Sequence, residues 1–290
     1  GLGSLEKASD LRSDYISCKG CHNHCTVTKM TFGNGKVFYT GNNCERIFTN
    51  VGGERRKGED LTEYKLELLF NNNKHGGKRG RIGIPRVLNV YENYPFWQEL
   101  LTGCGFDVLL SPPSTSRIAE LGSRTVMSEN ICFPAKLVNG HVKELMSMDV
   151  DRIFYPMVIF EEEEFQGSLN SFNCPVVSGY PDVVRSAVAP EKKEDIPFAS
   201  PTISFKDRGV LKKGAWNYIK RLGVDKGAFE RAFRKALLAQ VDYREKVREK
   251  AMSMLVRAKK ENRPVVLLVG RPYHIDQLIN HKITDMITSM

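Results

Sequence analysis

From Arg81 onward the chain alternates short, apolar, β-branched runs with segments of helical spacing, and no other feature restricts the fold as strongly. "RIGIPRVL" (81–88) reads as a strand, "NYPFWQELLTGCG" (93–105) as a helix with Phe96, Leu100 and Leu101 on one face and a glycine stop, and "FDVLLSPP" (106–113) as a second strand. Two strands joined through a helix form a β-α-β crossover, which argues for parallel pairing. The alternation continues. "SENICFPAKLVNGHVKELM" (128–146) has helical periodicity, "DRIFYPMVIF" (151–160) reads as a buried strand, and "CPVVSGYPDVV" (174–184) as a further strand running into a loop. The pattern predicts a doubly wound, parallel-sheet α/β domain of the Rossmann or flavodoxin type over 78–205, whose ligands sit beyond the carboxyl ends of the strands.

Both flanks of this domain differ from it. Ahead of it, "VGGERRKGEDLTEYKLELLFNNNKHGGKRG" (51–80) reads as a linker, rich in Gly, Asn and Lys. Behind it, 206–262 predicts long amphipathic helices, with Phe229, Phe233, Leu237 and Val241, then Val247, Ala251 and Leu255, tracing an apolar stripe. "RPVVLLVG" (263–270) is then expected to be a strand, followed by a polar loop and a helix. Residues 263–290 would therefore open a second α/β unit that the chain end truncates.

The N-terminal part, 1–62, is dominated by cysteine. Cys18, Cys21 and Cys25 fall within eight residues in "CKGCHNHC", and Cys44 follows in "GNNCE". Between them "TVTKMTF" and "KVFYTG" predict a β-hairpin around the Gly-Asn-Gly turn, which would return Cys44 to the first three. Four thiolates in a segment with so little core point to a metal. Zinc in a closed tetrahedral site and a [4Fe-4S] cluster both use four cysteines, and spacing does not separate them. His22 and His24 are expected to stand behind the ligands or in solvent. An odd count of seven cysteines without a secretion signal favours a reducing, cytoplasmic setting over a disulfide framework.

Three other cysteines are less constrained. Cys104, at a helix end, is expected to be packing. Cys132 and Cys174 each precede a proline-containing helix or strand edge, and are either small buried hydrophobes or neighbours at one rim of the sheet. "GRPYHIDQLINH" (270–281) places Arg271, His274, Asn280 and His281 where loop residues meet ligands, although helix caps and satisfied histidines would explain the same loop. "EEEE" (161–164) reads as an exposed loop or helix start. The formal net charge of +9 is scattered along helix faces among acidic residues and is interleaved with no nucleic-acid motif, so nucleic acid is not expected as a partner. No apolar run is long enough for a membrane helix. Neither a P-loop nor a GxGxxG motif is present.

Together, "CKGCHNHC…GNNCE", "RIGIPRVLNVYENYPFWQELLTGCGFDVLLSP", "SENICFPAKLVNGHVKEL", "DRIFYPMV", "NCPVVSGYP" and "GRPYHIDQLINH" resemble the domain of unknown function of CoA-substrate-specific enzyme activase-related proteins. These are relatives of the activator and dehydratase components of 2-hydroxyacyl-CoA dehydratases. The resemblance implies a place in ATP-driven, low-potential electron transfer through an iron–sulfur centre. It also implies partners in ATPase (activase) domains and a dehydratase-like cluster-binding domain, on the same or a partner chain. It raises Cys132 and Cys174 as cluster ligands. It does not supply a third ligand, and the chain alone is expected neither to hydrolyse ATP nor to dehydrate a substrate. The alternative is a zinc-stapled docking module that binds the catalytic partner.

Overall fold

The computed structural model describes residues 11–20, 24–42, 47–50, 58–71, 77–165 and 167–289. The chain divides into two compact units: Gly1–Tyr64 with Val247–Gly270 and Gln277–Met290, and Lys65–Lys246 with Arg271–Asp276.

In the first unit, β1 (Arg12–Ser17), β2 (Thr26–Thr31) and β3 (Val37–Thr40) form an antiparallel sheet in that order. Gly35, at φ +80°, makes the turn between β2 and β3 that only a residue without Cβ adopts freely. "CKGCHNHC" occupies the loop between β1 and β2, closed at its base by the Cys18 amide donating to the Cys25 carbonyl at 2.8 Å. Cys21, His22 and Cys44 lie outside the described residues.

Helix α1 (Leu61–Phe70) falls in the stretch that reads as a linker. Its first residues close the early part of the first unit, and its later residues open the second. The second unit continues with β4 (Arg81–Ile84), α2 (Val90–Gly103), β5 (Asp107–Leu110), α3 (Ser116–Ser123), α4 (Phe133–Met146), β6 (Arg152–Phe154), β7 (Met157–Phe160), α5 (Pro175–Val188), α6 (Pro190–Lys193), β8 (Phe198–Ala199), β9 (Thr202–Ser204), α7 (Arg208–Ile219) and α8 (Lys226–Lys260). The last of these belongs to this unit through Lys246. A short 3₁₀ turn, Pro272–Ile275, follows, and α9 (Ile283–Ser289) ends the described chain.

The parallel sheet has the order β5-β4-β6-β8, with helices between successive strands. This is the flavodoxin-like arrangement, in which the chain adds β5 on one side of β4 and then crosses to add β6 on the other. The run 151–160 forms two strands because Pro156 has no N–H to give the ladder. The ladder runs up to it and resumes beyond it: Tyr155 donates to the Ala199 carbonyl at 2.9 Å on one side and Met157 to the Pro201 carbonyl at 3.0 Å on the other, and β7 pairs with β9 in parallel.

Two expected strands are corrected. "PVVSGYPDVV" is helix α5: Pro175 sits in its first turn, where the missing N–H costs nothing, and Val177, Tyr180, Val184 and Val188 are buried at helical intervals. Val265–Val269 forms no strand, and Leu267 and Val269 remain 84% and 89% exposed, because no described segment offers these residues a ladder. A β-branched run becomes a strand only where another strand receives its hydrogen bonds.

The core of the second unit is aromatic. Phe96 and Trp97 of α2 meet edge to face at 4.9 Å, Trp97 packs on Phe154 at 4.8 Å, and Phe96 contacts Phe205 at 5.3 Å and Phe233 of α8 at 5.7 Å. Pro95 lies inside α2. The side chain of Gln240 repairs the adjacent rung, accepting from the Phe96 amide at 3.3 Å and donating to the Glu92 carbonyl at 2.9 Å. Helices α3 and α4 cross at glycines: a Cβ on Gly140 would stand 1.9 Å from the Ile118 carbonyl oxygen, and one on Gly122 2.4 Å from the Gly140 nitrogen. Gly140→Ala should therefore lower stability by about 1–3 kcal/mol or more, since backbone rather than a flexible side chain has to move. Chemical denaturation of the variant beside the wild type checks this, with a loss under about 0.5 kcal/mol counting against the close crossing.

Candidate functional site

β4 stops at Ile84, while the line of β6 and β7 continues to Phe160, about 20 Å beyond the β4 end at the usual rise per strand residue. The step leaves a crevice above the point where the chain changes direction across the sheet, the place where open α/β sheets bind their ligands. Its floor is the loop after β4, Pro85–Asn89, in which buried Leu88 takes φ +44°, a conformation costly for a branched residue. Its wall is β7 with the returning segment Ser171–Asn173, joined by the Glu161 amide donating to the Ser171 carbonyl and the Asn173 amide to the Ile159 carbonyl, each at 2.9 Å.

On and near its floor are buried polar atoms that have no hydrogen-bond partner among the described residues: Arg86 Nε, Asn89 Oδ1, Asn93 Oδ1 and the Tyr155 hydroxyl. Native proteins leave few such groups, and each calls for an explanation. The Arg86 guanidinium lies over the Phe70 ring at 4.0 Å. The Arg271–Asp276 segment is fastened to this rim by the Tyr91 hydroxyl, which donates to Asp276 Oδ2 in a buried, short hydrogen bond. Burial, and next the Asp276 charge, push the Tyr91 pKa far up, so the phenol keeps its proton.

Beyond β5, Ser111 Oγ accepts the Arg86 amide at 2.8 Å and meets His141 Nδ1 at 2.8 Å, while His141 Nε2 faces Ser114 Oγ at 3.0 Å. With the Ser111 hydroxyl donating to Nδ1, Nε2–H is left for Ser114, and every polar group of the fully buried ring is used. Burial lowers the His141 pKa to about 4; Asp276 and Glu144 oppose that shift and Arg86 adds to it.

Cys132 and Cys174 occupy equivalent positions, as the residues preceding the first turns of α4 and α5, each with a proline in that turn and neither side chain capping its helix. Burial raises the Tyr273 pKa, Cys174 and then Cys132 raise it further, and Arg271 lowers it in between. Tyr180 is raised by burial and by Cys132, and Tyr155 by burial, Tyr180 and Cys174. Cys132 is exposed and Cys174 half-buried, so neither is the buried small hydrophobe of the bland reading. Cys104 is buried, and burial pushes its thiol up to about 11.

Arg271 joins Pro272 and Tyr273 on the wall of a cavity of about 370 Å³ in this crevice. His274 is exposed, and its Nδ1 accepts the Arg271 amide at 2.9 Å. Asn280 and His281 belong to the other unit, in a turn where Asn280 Oδ1 accepts the Lys282 amide at 2.8 Å and His281 takes φ +53°. The sequence gives little notice of Glu161. It opens an acidic run that reads as exposed, yet its carboxylate is half-buried, accepting the Asn93 amide at 2.9 Å and the Asn173 amide at 2.8 Å. Burial raises its pKa. The available signal was its position directly after a buried strand, which carries the first acid of the run inside.

Among the described residues no three His, Cys, Asp or Glu side chains converge as a metal site, with Cys21 and Cys44 outside that set. No described helix is long and apolar enough to cross a membrane. Residues 81–290 match the family model of the CoA enzyme activase uncharacterised domain. Neither a curated protein nor a solved structure matches the chain.

The His141 arrangement has a measurable pH signature. Its folded pKa lies below the unfolded value near 6.5, so the unfolded chain binds the extra proton. The contribution of this residue is complete above about 6.5 and is lost as the pH falls toward 4, a change on the order of 3 kcal/mol. Glu92 and Glu161, raised by burial, act in the opposite sense, favouring the fold at low pH and losing that as the pH rises through their folded values. The difference between wild type and His141→Gln isolates the histidine. Denaturation at pH 7 and pH 4.5 should show the wild type losing more stability than the variant on acidification, and equal losses would contradict a buried neutral ring.

Proposed function

The chain belongs to the CoA enzyme activase uncharacterised domain family, and on that premise we propose that it is an iron–sulfur-binding domain serving ATP-driven, low-potential electron transfer to a CoA-linked enzyme. The observation that carries this reading is that Cys132 and Cys174 hold equivalent places ahead of α4 and α5, neither buried and neither capping its helix. Two thiols leading adjacent helices are soft donors, suited to iron–sulfur or zinc, and helix N-termini favour the negative charge that a ligating thiolate brings. They supply two donors where a cluster commonly takes four, so the remaining ligands would come from outside the described residues or from a partner. When bound, such a cluster supplies one-electron transfer. The role of the chain is to hold the thiols at the open rim with Tyr155, Tyr180 and Tyr273 around them. ATP hydrolysis is assigned to activase domains of the same or a partner chain, and the acceptor to a dehydratase-like cluster-binding domain.

A second reading rests on the N-terminal sheet. The Cys18–Cys25 hydrogen bond draws the ends of the loop bearing the first three cysteines together, the geometry of a ligating turn. Cys18, Cys21, Cys25 and Cys44 would then staple a docking module around zinc or hold a [4Fe-4S] cluster of their own.

Anaerobic purification of the full chain, with iron, sulfide and zinc analysis and visible absorption, tests both readings. Iron and sulfide that fall in Cys132→Ser and Cys174→Ser support the rim site. Iron unchanged in both variants but lost in Cys18→Ser moves the cluster to the N-terminal sheet. A colourless protein with stoichiometric zinc replaces the electron-transfer reading with the docking one.

A further inference from the structure

We propose that the cavity between β7 and the N-terminus of α2 binds the ammonium group of a primary alkylamine. The site is distinct from the thiol pair and does not depend on what that pair holds. Its wall carries five carboxylates, Glu92 and Glu161–Glu164, against two guanidinium groups, Arg244 and Arg271. Arg244 is already committed, pairing with Glu92 and Glu164 at 3.4 Å each and with Glu162 more closely. The ion pairs among the described residues leave out Glu161, whose neutral amide partners, Asn93 and Asn173, contribute no positive charge.

Asn89 gives a second, independent indication. It lines the cavity, is only 4% exposed, and carries a carboxamide oxygen without a donor. It precedes α2 but does not cap it, so its side chain is free of the usual local role. A buried acceptor left unpaired beside uncompensated carboxylates suits a ligand that brings both N–H donors and positive charge. Tyr273 and Phe172 line the same wall, and aromatic side chains are compatible with an organic cation. A divalent cation fits less well. No three ligating side chains converge among the described residues. Anionic ligands, phosphates included, meet an excess of like charge.

The ammonium group could belong to a free amine or to a lysine side chain of a partner protein, and the probes separate these. Calorimetric titration of the full chain at pH 7.5 would use putrescine and Nα-acetyl-lysine amide, with n-butanol and ionic-strength-matched KCl as controls. Saturable binding of either amine, without binding of butanol or a matching effect of KCl, is expected. Preference for putrescine indicates a free amine, and preference for the lysine amide a protein side chain. Glu161→Gln should weaken binding by at least about tenfold, the worth of a hydrogen bond to a charged group. Glu163→Gln, on the exposed side of the cavity, should weaken it without risk to the fold. Asn89→Leu should weaken binding while leaving the melting temperature unchanged or higher, because it removes an unpaired buried acceptor; a purely structural asparagine would lower both. Equal affinity of the wild type, Glu161→Gln and Glu163→Gln, or an amine effect that KCl reproduces, overturns the proposal.

Discussion

The change of partner at Pro156 governs the second unit. β4 and β6 end level, at Ile84 and Phe154, and beyond Pro156 the chain runs on as β7, which pairs with β9 and not with β4, so side chains from otherwise remote segments meet beyond the β4 end. Asn89 and Arg86 arrive from the loop after β4, Ser111 from the loop after β5, Glu161 from the end of β7, and Cys174 from the first turn of α5. A parallel sheet brings these together without any of them being close in sequence, since each crossover returns the chain to the same edge. The unpartnered polar atoms of the floor are tolerable there because they lie beside an open crevice and not in the aromatic core.

The crevice is held in shape from two sides. At the back, Gly122 and Gly140 let α3 and α4 approach until backbone meets backbone, which fixes where α4 begins and hence where Cys132 stands. At the front, the Tyr91–Asp276 hydrogen bond holds the short segment that carries Tyr273 on the wall of the cavity. Both partners are buried, and a buried carboxylate that loses its donor is costly, so this contact is a strong anchor for a segment with little other secondary structure.

Much of this was legible in the sequence. The β-α-β alternation from Arg81 and the long helices after 206 follow from periodicity, which reports directly which face is buried. What failed has a common cause. "PVVSGYPDVV" was ambiguous because its valines suit a strand by type and a helix by spacing, and Pro175 in the first turn settles it as a helix. Val265–Val269 has the composition of a strand, but composition cannot state whether a neighbouring strand exists to pair with it. Glu161 was hidden among three exposed acids, because the burial of one carboxylate depends on Asn93 and Asn173, distant residues whose positions no local pattern encodes.

The two chemistries of the crevice limit how a CoA-linked reaction could use it. Cys132 and Cys174 offer soft donors at an open edge, while the adjacent cavity is lined with carboxylates, of which Glu92 and Glu161 are half-buried with their pKa values raised by burial. The phosphates of a CoA ester carry charge of the same sign as that lining, and a low-dielectric wall strengthens the repulsion. A CoA-bearing substrate therefore gains nothing by placing its nucleotide end in this cavity. If the rim thiols serve electron transfer to such a substrate, the electron must leave past the exposed Cys132 side, toward a partner surface that holds the acyl-CoA. The acidic cavity on the other side is then available for a cation from that partner or from solution.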